Sequence, residues 1–205
     1  MIGKALKKSA ILAALCVAVA LAAGALGCGG DESKARESLE AGHEEGLEVS
    51  KNLEKLGKKE KELDQLYQKT GQVTPENLET IRKPYLELVE LVGAVKASAE
   101  KTKSQYDKVM KLKDVKDYKD YANLKTKALD LLIKEVGLAG DLYAVFNRVA
   151  EEQAAGRPVD EAAVNNSIDA IIAEVAKVEK EIAKAKNDAA DIGDELKLEW
   201  EKVKK

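Results

Sequence analysis

The chain has 205 residues and a formal net charge of −3; 35% of its residues are charged and only 4% are aromatic. With one histidine and two cysteines, it lacks the side chains for a disulfide scaffold, for clustered metal ligation or for base-assisted nucleophilic catalysis. The mildly acidic balance argues against a general nucleic-acid binder, which would show a basic face.

The first element in chain order is built for export. Lys4, Lys7 and Lys8 precede an unbroken apolar run over residues 10–23, which closes on Gly24-Ala25-Leu26-Gly27-Cys28. Ala25-Leu26-Gly27-Cys28 resembles the lipobox of bacterial lipoproteins, with Gly27 and Cys28 at its last two positions and Ala25 where that family carries leucine. The resemblance covers residues 1–30 only. It implies cleavage between Gly27 and Cys28 and acyl chains such as palmitate on Cys28. It also implies a place in the bacterial cell envelope, anchored to a membrane with the domain exported from the cytoplasm. The organisation expected on that basis is a signal peptide over residues 1–27, the lipidated cysteine and a short linker over 28–33, and a helical domain over 34–205.

Two other fates compete with this one. Secretory cleavage near residues 23–27 would leave a free thiol. An uncleaved anchor would use residues 10–27, which approach the ~18–20 apolar residues that span a bilayer. On the lipoprotein reading neither cysteine is left for a disulfide, so packing alone must hold the fold. Loss of three lysines with residues 1–27 moves the formal charge from −3 to −6.

Beyond the linker the composition is one-sided, and apolar residues recur at alternating steps of four and three, the seam of a helix packed at a shallow angle. Ala35, Leu39, Gly42, Gly46, Val49, Leu53, Leu56, Glu60, Leu63 and Tyr67 carry the first seam. The second runs from Leu78 through Tyr85, Leu88, Val92 and Ala99 to Tyr106 and Val109. The third runs through Leu124, Ala128, Leu131, Leu138, Leu142, Val145 and Val149, with Glu135 inside it. The fourth runs from Val164 and Ile168 through Val178, Ile182, Ala185 and Ala189 to Leu196, with Glu199 and Val203 beyond.

Thr74 and Pro75 are placed to cap and open the second helix, and Gly156-Arg157-Pro158 to end the third before an Asp160 cap. Only residues 111–120 lack a Gly or Pro to enforce a turn; Asp117 is the candidate cap there. The reading is all-α: an elongated up-down-up-down four-helix bundle with coiled-coil-like packing, each helix ~35–45 residues and ~50–65 Å long. A chain running straight through residues 111–120 would instead give a three-helix array with one very long member. Pro84 predicts a kink or a short lead-in helix.

Chemistry is sparse along these helices. Glu40 and His43 have the Glu-x-x-His spacing of four-helix carboxylate metal sites, but there is no second histidine, so no metal or cofactor is expected. Tyr118 and Tyr121 lie among charges and read as a contact surface or as a buried plug at the bundle end. Trp200, beside Lys202, Lys204 and Lys205, reads as a bilayer-interface residue. Leu129 and Ile133 flank the third seam as a candidate interaction surface, unless that helix is the most buried of the four.

The function expected is a membrane-anchored, non-catalytic envelope lipoprotein, not an enzyme, acting as adaptor, spacer or assembly partner. Its partners would be the membrane through the lipid anchor and an envelope protein, with self-association possible and no nucleic acid. The alternative is a small-ligand sensor or carrier binding within the bundle.

Overall fold

Apolar residues spaced three and four apart bury a single face only when the chain is helical, and the four predicted segments are four helices. In the computed structural model, which describes residues 30–70, 73–198 and 200, they are α1 Gly30–Thr70, α2 Leu78–Met110, α3 Lys116–Ala154 and α4 Glu161–Glu195. They pack as a four-helix bundle, with no strand among the described residues. Gly27, Cys28 and Glu199 fall outside those residues.

Each helix end has its own chemistry. Residues 30–33, expected as linker, are the first turn of α1, where Asp31 and Glu32 complement the positive end of the helix dipole. Before α2 the Thr74 N–H donates to Asn77 Oδ1 at 2.8 Å, and the Asn77 N–H donates to the Thr74 carbonyl at 3.2 Å. The Asn77 carbonyl accepts the first helical bond, from Ile81 N–H at 3.1 Å, so Asn77 is the cap, one turn later than Thr74. Helix α2 then runs unbroken through Pro84.

The chain does break between α2 and α3. Lys111 and Leu112 N–H groups donate to the carbonyls of Lys108 and Val109 at 3.2 and 3.1 Å, and Asp114 takes the left-handed backbone at φ 53°. Aspartate tolerates that region better than most L residues, so no glycine is needed. Val115 supplies the first carbonyl of α3, bonded by Lys119 N–H at 3.0 Å; Asp117 lies inside the first turn and does not cap it.

The ends of α3 and α4 share one geometry. After α3, Arg157 N–H bonds the Glu152 carbonyl at 2.9 Å and Gly156 N–H bonds Gln153 at 3.1 Å, with Gly156 at φ 66°. After α4, Leu198 N–H bonds Gly193 at 2.9 Å and Lys197 N–H bonds Asp194 at 3.0 Å, with Lys197 at φ 56°. Both are Schellman caps, one on glycine and one on lysine. Asp160 caps α4 as predicted, its Oδ1 accepting from Ala163 N–H at 3.0 Å.

The chain divides into two compact units, each built from segments of all four helices. The first comprises Lys51–Val95 and Glu135–Lys177. There Tyr67 and Lys59 of α1 meet Tyr85 and Glu87 of α2, while Arg82, Tyr85 and Val92 of α2 meet Glu151, Phe146 and Gly140 of α3. Rising numbers on one helix face falling numbers on the next, so α1 and α2, and α2 and α3, are antiparallel. Ile81, Leu88, Val95, Val136 and Leu142 close its interior, at about 1.5–3 kcal/mol for each large apolar side chain fully buried.

The second unit comprises residues 30–50, Lys96–Lys134 and the described residues beyond 177. Its core cluster joins Ala35 and Leu39, Tyr106 and Val109, Tyr118, Tyr121 and Ala122, and Ala189 with Leu198.

Burial follows the predicted seams on α1, α2 and α4, but α3 is partly turned: Ala128, Glu135, Leu142 and Val149 of its seam are buried and the other half of the seam is not. Leu124, Leu131, Leu138 and Val145 are only half-buried, while Val136, Ala139, Tyr143, Phe146 and Ala150 lie inside. The aromatic side chains take the interior because they offer the most apolar surface to bury.

Candidate functional site

The first turn of α1 organises the end of the second unit. Asp31 Oδ2 accepts the Lys113 backbone N–H at 3.1 Å, and Lys34 Nζ approaches its other oxygen at 3.4 Å. The Lys113 N–H, with help from Lys34, holds the Asp31 carboxyl below the usual range. One turn on, Arg36 Nη2 donates to the Leu196 carbonyl at 2.8 Å, satisfying one of the orphan acceptors at the end of α4. The same guanidinium lies 5.5 Å from the Tyr118 ring centroid. Three chain segments therefore meet around two side chains of α1.

Further along α1, Gly42 answers to Tyr106. A β-carbon at Gly42 would lie 2.6 Å from the Tyr106 ring, so the absent side chain is what admits the phenol. Gly42, a seam position in the sequence, thus serves close packing. Tyr118 and Tyr121, read from sequence as a contact surface or a plug, are 7% and 0% exposed and belong to the core cluster. Trp200 Nε1 donates to Tyr121 Oη at 3.0 Å, and its ring stacks on His43 with centroids 5.2 Å apart. The indole N–H is spent inside the protein. Trp200 lies beside His43, thirteen residues into α1, or ~20 Å along the helix from Gly30. Glu40 is exposed while His43 stacks on Trp200, so the Glu-x-x-His pair does not converge.

The surface pair called from sequence is half-buried at both positions, and Leu129 packs against the core cluster of the second unit. Leu86 and Val89, on neighbouring turns of α2, are 51% and 48% exposed instead, with Met110 at 42%. Sequence reasoning missed them because they sit between seam positions, where only the helix rotation decides exposure. It also missed the partnership of Asp31 and Arg36 with distant backbone, for which the chain carries no local signal.

The first unit holds polar chemistry in its interior. Tyr143 Oη donates to Glu60 Oε1, and the Tyr85 and Tyr67 hydroxyls lie 3.0 Å apart. Glu60 Oε2 is buried without a donor. Burial pushes the Glu60 carboxyl above its usual range, with the Tyr143 bond pulling the other way. Burial and the neighbouring Tyr67 drive the Tyr85 phenol well above the tyrosine range. Glu135, in the α3 seam as read, is 1% exposed. Both carboxyls are thus enclosed between helices of the first unit.

Among the described residues no group of three or more His, Cys, Asp or Glu is placed to hold a metal ion, and no helix is long and apolar enough to cross a membrane. An open groove of about 350 Å³ on the second unit is lined by Ala41, Glu44, Glu45, Glu48 and Gln105, a polar and acidic wall with little for an apolar ligand to bury against. A scan of protein-family models, a comparison with curated proteins and a comparison with solved structures each returned no match.

Proposed function

We propose that the protein is a lipid-anchored, non-catalytic helical bundle of the bacterial cell envelope, working as an adaptor, spacer or assembly partner. One observation supports this reading most: Gly30, two residues after the lipobox-like Cys28, already lies in α1, so that the folded body follows its attachment point almost directly. A body of ion-paired helices with its titratable interior sealed fits a scaffold better than a reaction vessel. Three acyl chains would hold such a body firmly, since each buried CH₂ contributes ~0.8 kcal/mol.

Metabolic labelling with a palmitate analogue tests the anchor. Wild type is expected to take up label and sediment with membranes, whereas Cys28→Ser takes up none and accumulates at precursor size. Equal labelling, or an unlabelled wild type cleaved before Cys28, would overturn the reading. In-cell cross-linking of the same pair then tests the adaptor role: a specific envelope protein is captured by the wild type and lost from Cys28→Ser.

A further inference from the structure

We propose that residues 108–114, the last turn of α2 and the loop after it, form a tip that rests on an anionic bilayer surface, with Lys108, Lys111 and Lys113 meeting lipid phosphates and Met110 entering the headgroup layer. The proposal rests on the anchored reading above, and four observations carry it.

The first is reach. Gly30 follows Cys28 by two positions, and an extended chain covers at most ~7 Å in that distance. An anchor at Cys28 therefore puts the first turn of α1 at headgroup level, and an uncleaved apolar segment ending at residue 27 does the same. The second is attachment: Asp31, in that first turn, accepts the Lys113 backbone N–H, which fixes the loop at the same height as the start of α1. The third is charge, since residues 108–114 carry three lysines against one acid, Asp114. Lysines close to an anionic leaflet gain attraction that fades within a Debye length. The fourth is exposure: Met110 is 42% exposed, while Lys111 and Lys113 stand in solvent on either side of half-buried Leu112. Trp200, the residue that sequence alone nominates for the interface, is instead committed to Tyr121 and His43.

The test uses the full chain, purified in its anchored form and reconstituted into vesicles of phosphatidylglycerol and phosphatidylethanolamine. A fluorophore is placed at Met110→Cys or, as the reference, at Glu48→Cys, an exposed site ~27 Å along α1 from Gly30. Spin-labelled headgroups in the vesicles are expected to quench the Met110→Cys label roughly threefold more than the reference, and the excess should fall with Lys111→Glu plus Lys113→Glu or in about 0.5 M salt. Vesicle-bound protein whose two labels are quenched alike overturns the tip and leaves the anchor standing. Protein that fails to sediment with vesicles overturns both. Quenching at Met110→Cys that persists in phosphatidylcholine and after the charge reversals overturns the anionic-surface assignment.

Discussion

The two units use the same residue, tyrosine, to different ends. In the first unit Tyr67, Tyr85 and Tyr143 lie between helices, and their hydroxyls must be answered from inside: Tyr67 by Tyr85, and Tyr143 by Glu60. In the second, Tyr106 fills the space left by Gly42, and Tyr121 is met by Trp200 arriving after the end of α4. A phenol held between helix middles fixes the rotation of the helices around it, because its polar atom admits few orientations. A phenol near helix ends can be satisfied by whatever the chain folds back over it, so there shape does more of the specifying.

The largest break in that comparison is expected at Tyr85→Ala, which removes a 1% exposed ring packed against Phe146 together with the partner of Tyr67. A loss of about 3–5 kcal/mol in urea unfolding is expected. Gly42→Ala tests the shape-led unit: with the new carbon 2.6 Å from the Tyr106 ring, about 1–3 kcal/mol should be lost. Combining it with Tyr106→Leu should cost less than the two changes added separately. Strict additivity would show that the glycine and the ring are not coupled.

Glu60 gives the polar-led unit a signature in pH. Its raised value means that the folded chain holds this proton more tightly than the unfolded chain does. The stability contributed is complete below the ordinary glutamate range and is lost as pH rises through the raised value of the folded state. Glu60→Gln should remove that slope, which starts at the ordinary glutamate range and runs upward in pH, in urea titrations. Tyr143→Phe should cost about 1–3 kcal/mol, because it leaves Glu60 Oε1 buried without its donor.

The smallest effects lie at the paired helix ends. Lys197→Gly should stabilise by up to about 1 kcal/mol and Gly156→Ala should destabilise by a similar amount, since both positions need the left-handed backbone that glycine enters freely. Thermal melts of the two variants moving in the same direction would break that expectation.

Periodicity exposed the faces of α1, α2 and α4 because each carries a single apolar stripe. On α3 it found Ala128, Glu135, Leu142 and Val149 but set the other edge of the buried face wrongly; the choice between Leu138 and Tyr143 for the interior turned on bulk and on a partner at Glu60, far away in sequence. The break after α2 carried no Gly or Pro signal, since its special backbone position is Asp114 rather than a glycine. Tyr118, Tyr121 and Trp200 could be named from the sequence but not joined. What brings them together is a fold-back whose bonds form only once α4 is in place.

The bond from Arg36 to the Leu196 carbonyl spans 160 residues, and it carries a lesson about time. A chain that emerges amino end first presents Arg36 long before its acceptor exists. The second unit cannot complete its base until the last helix has followed, and contacts of such separation form late because the loop entropy is lost before the bond is gained. The first turn of α1 is therefore made early yet is among the last to find its place, and in refolding the Lys113 amide should gain protection from hydrogen exchange after amides in the middle of α2.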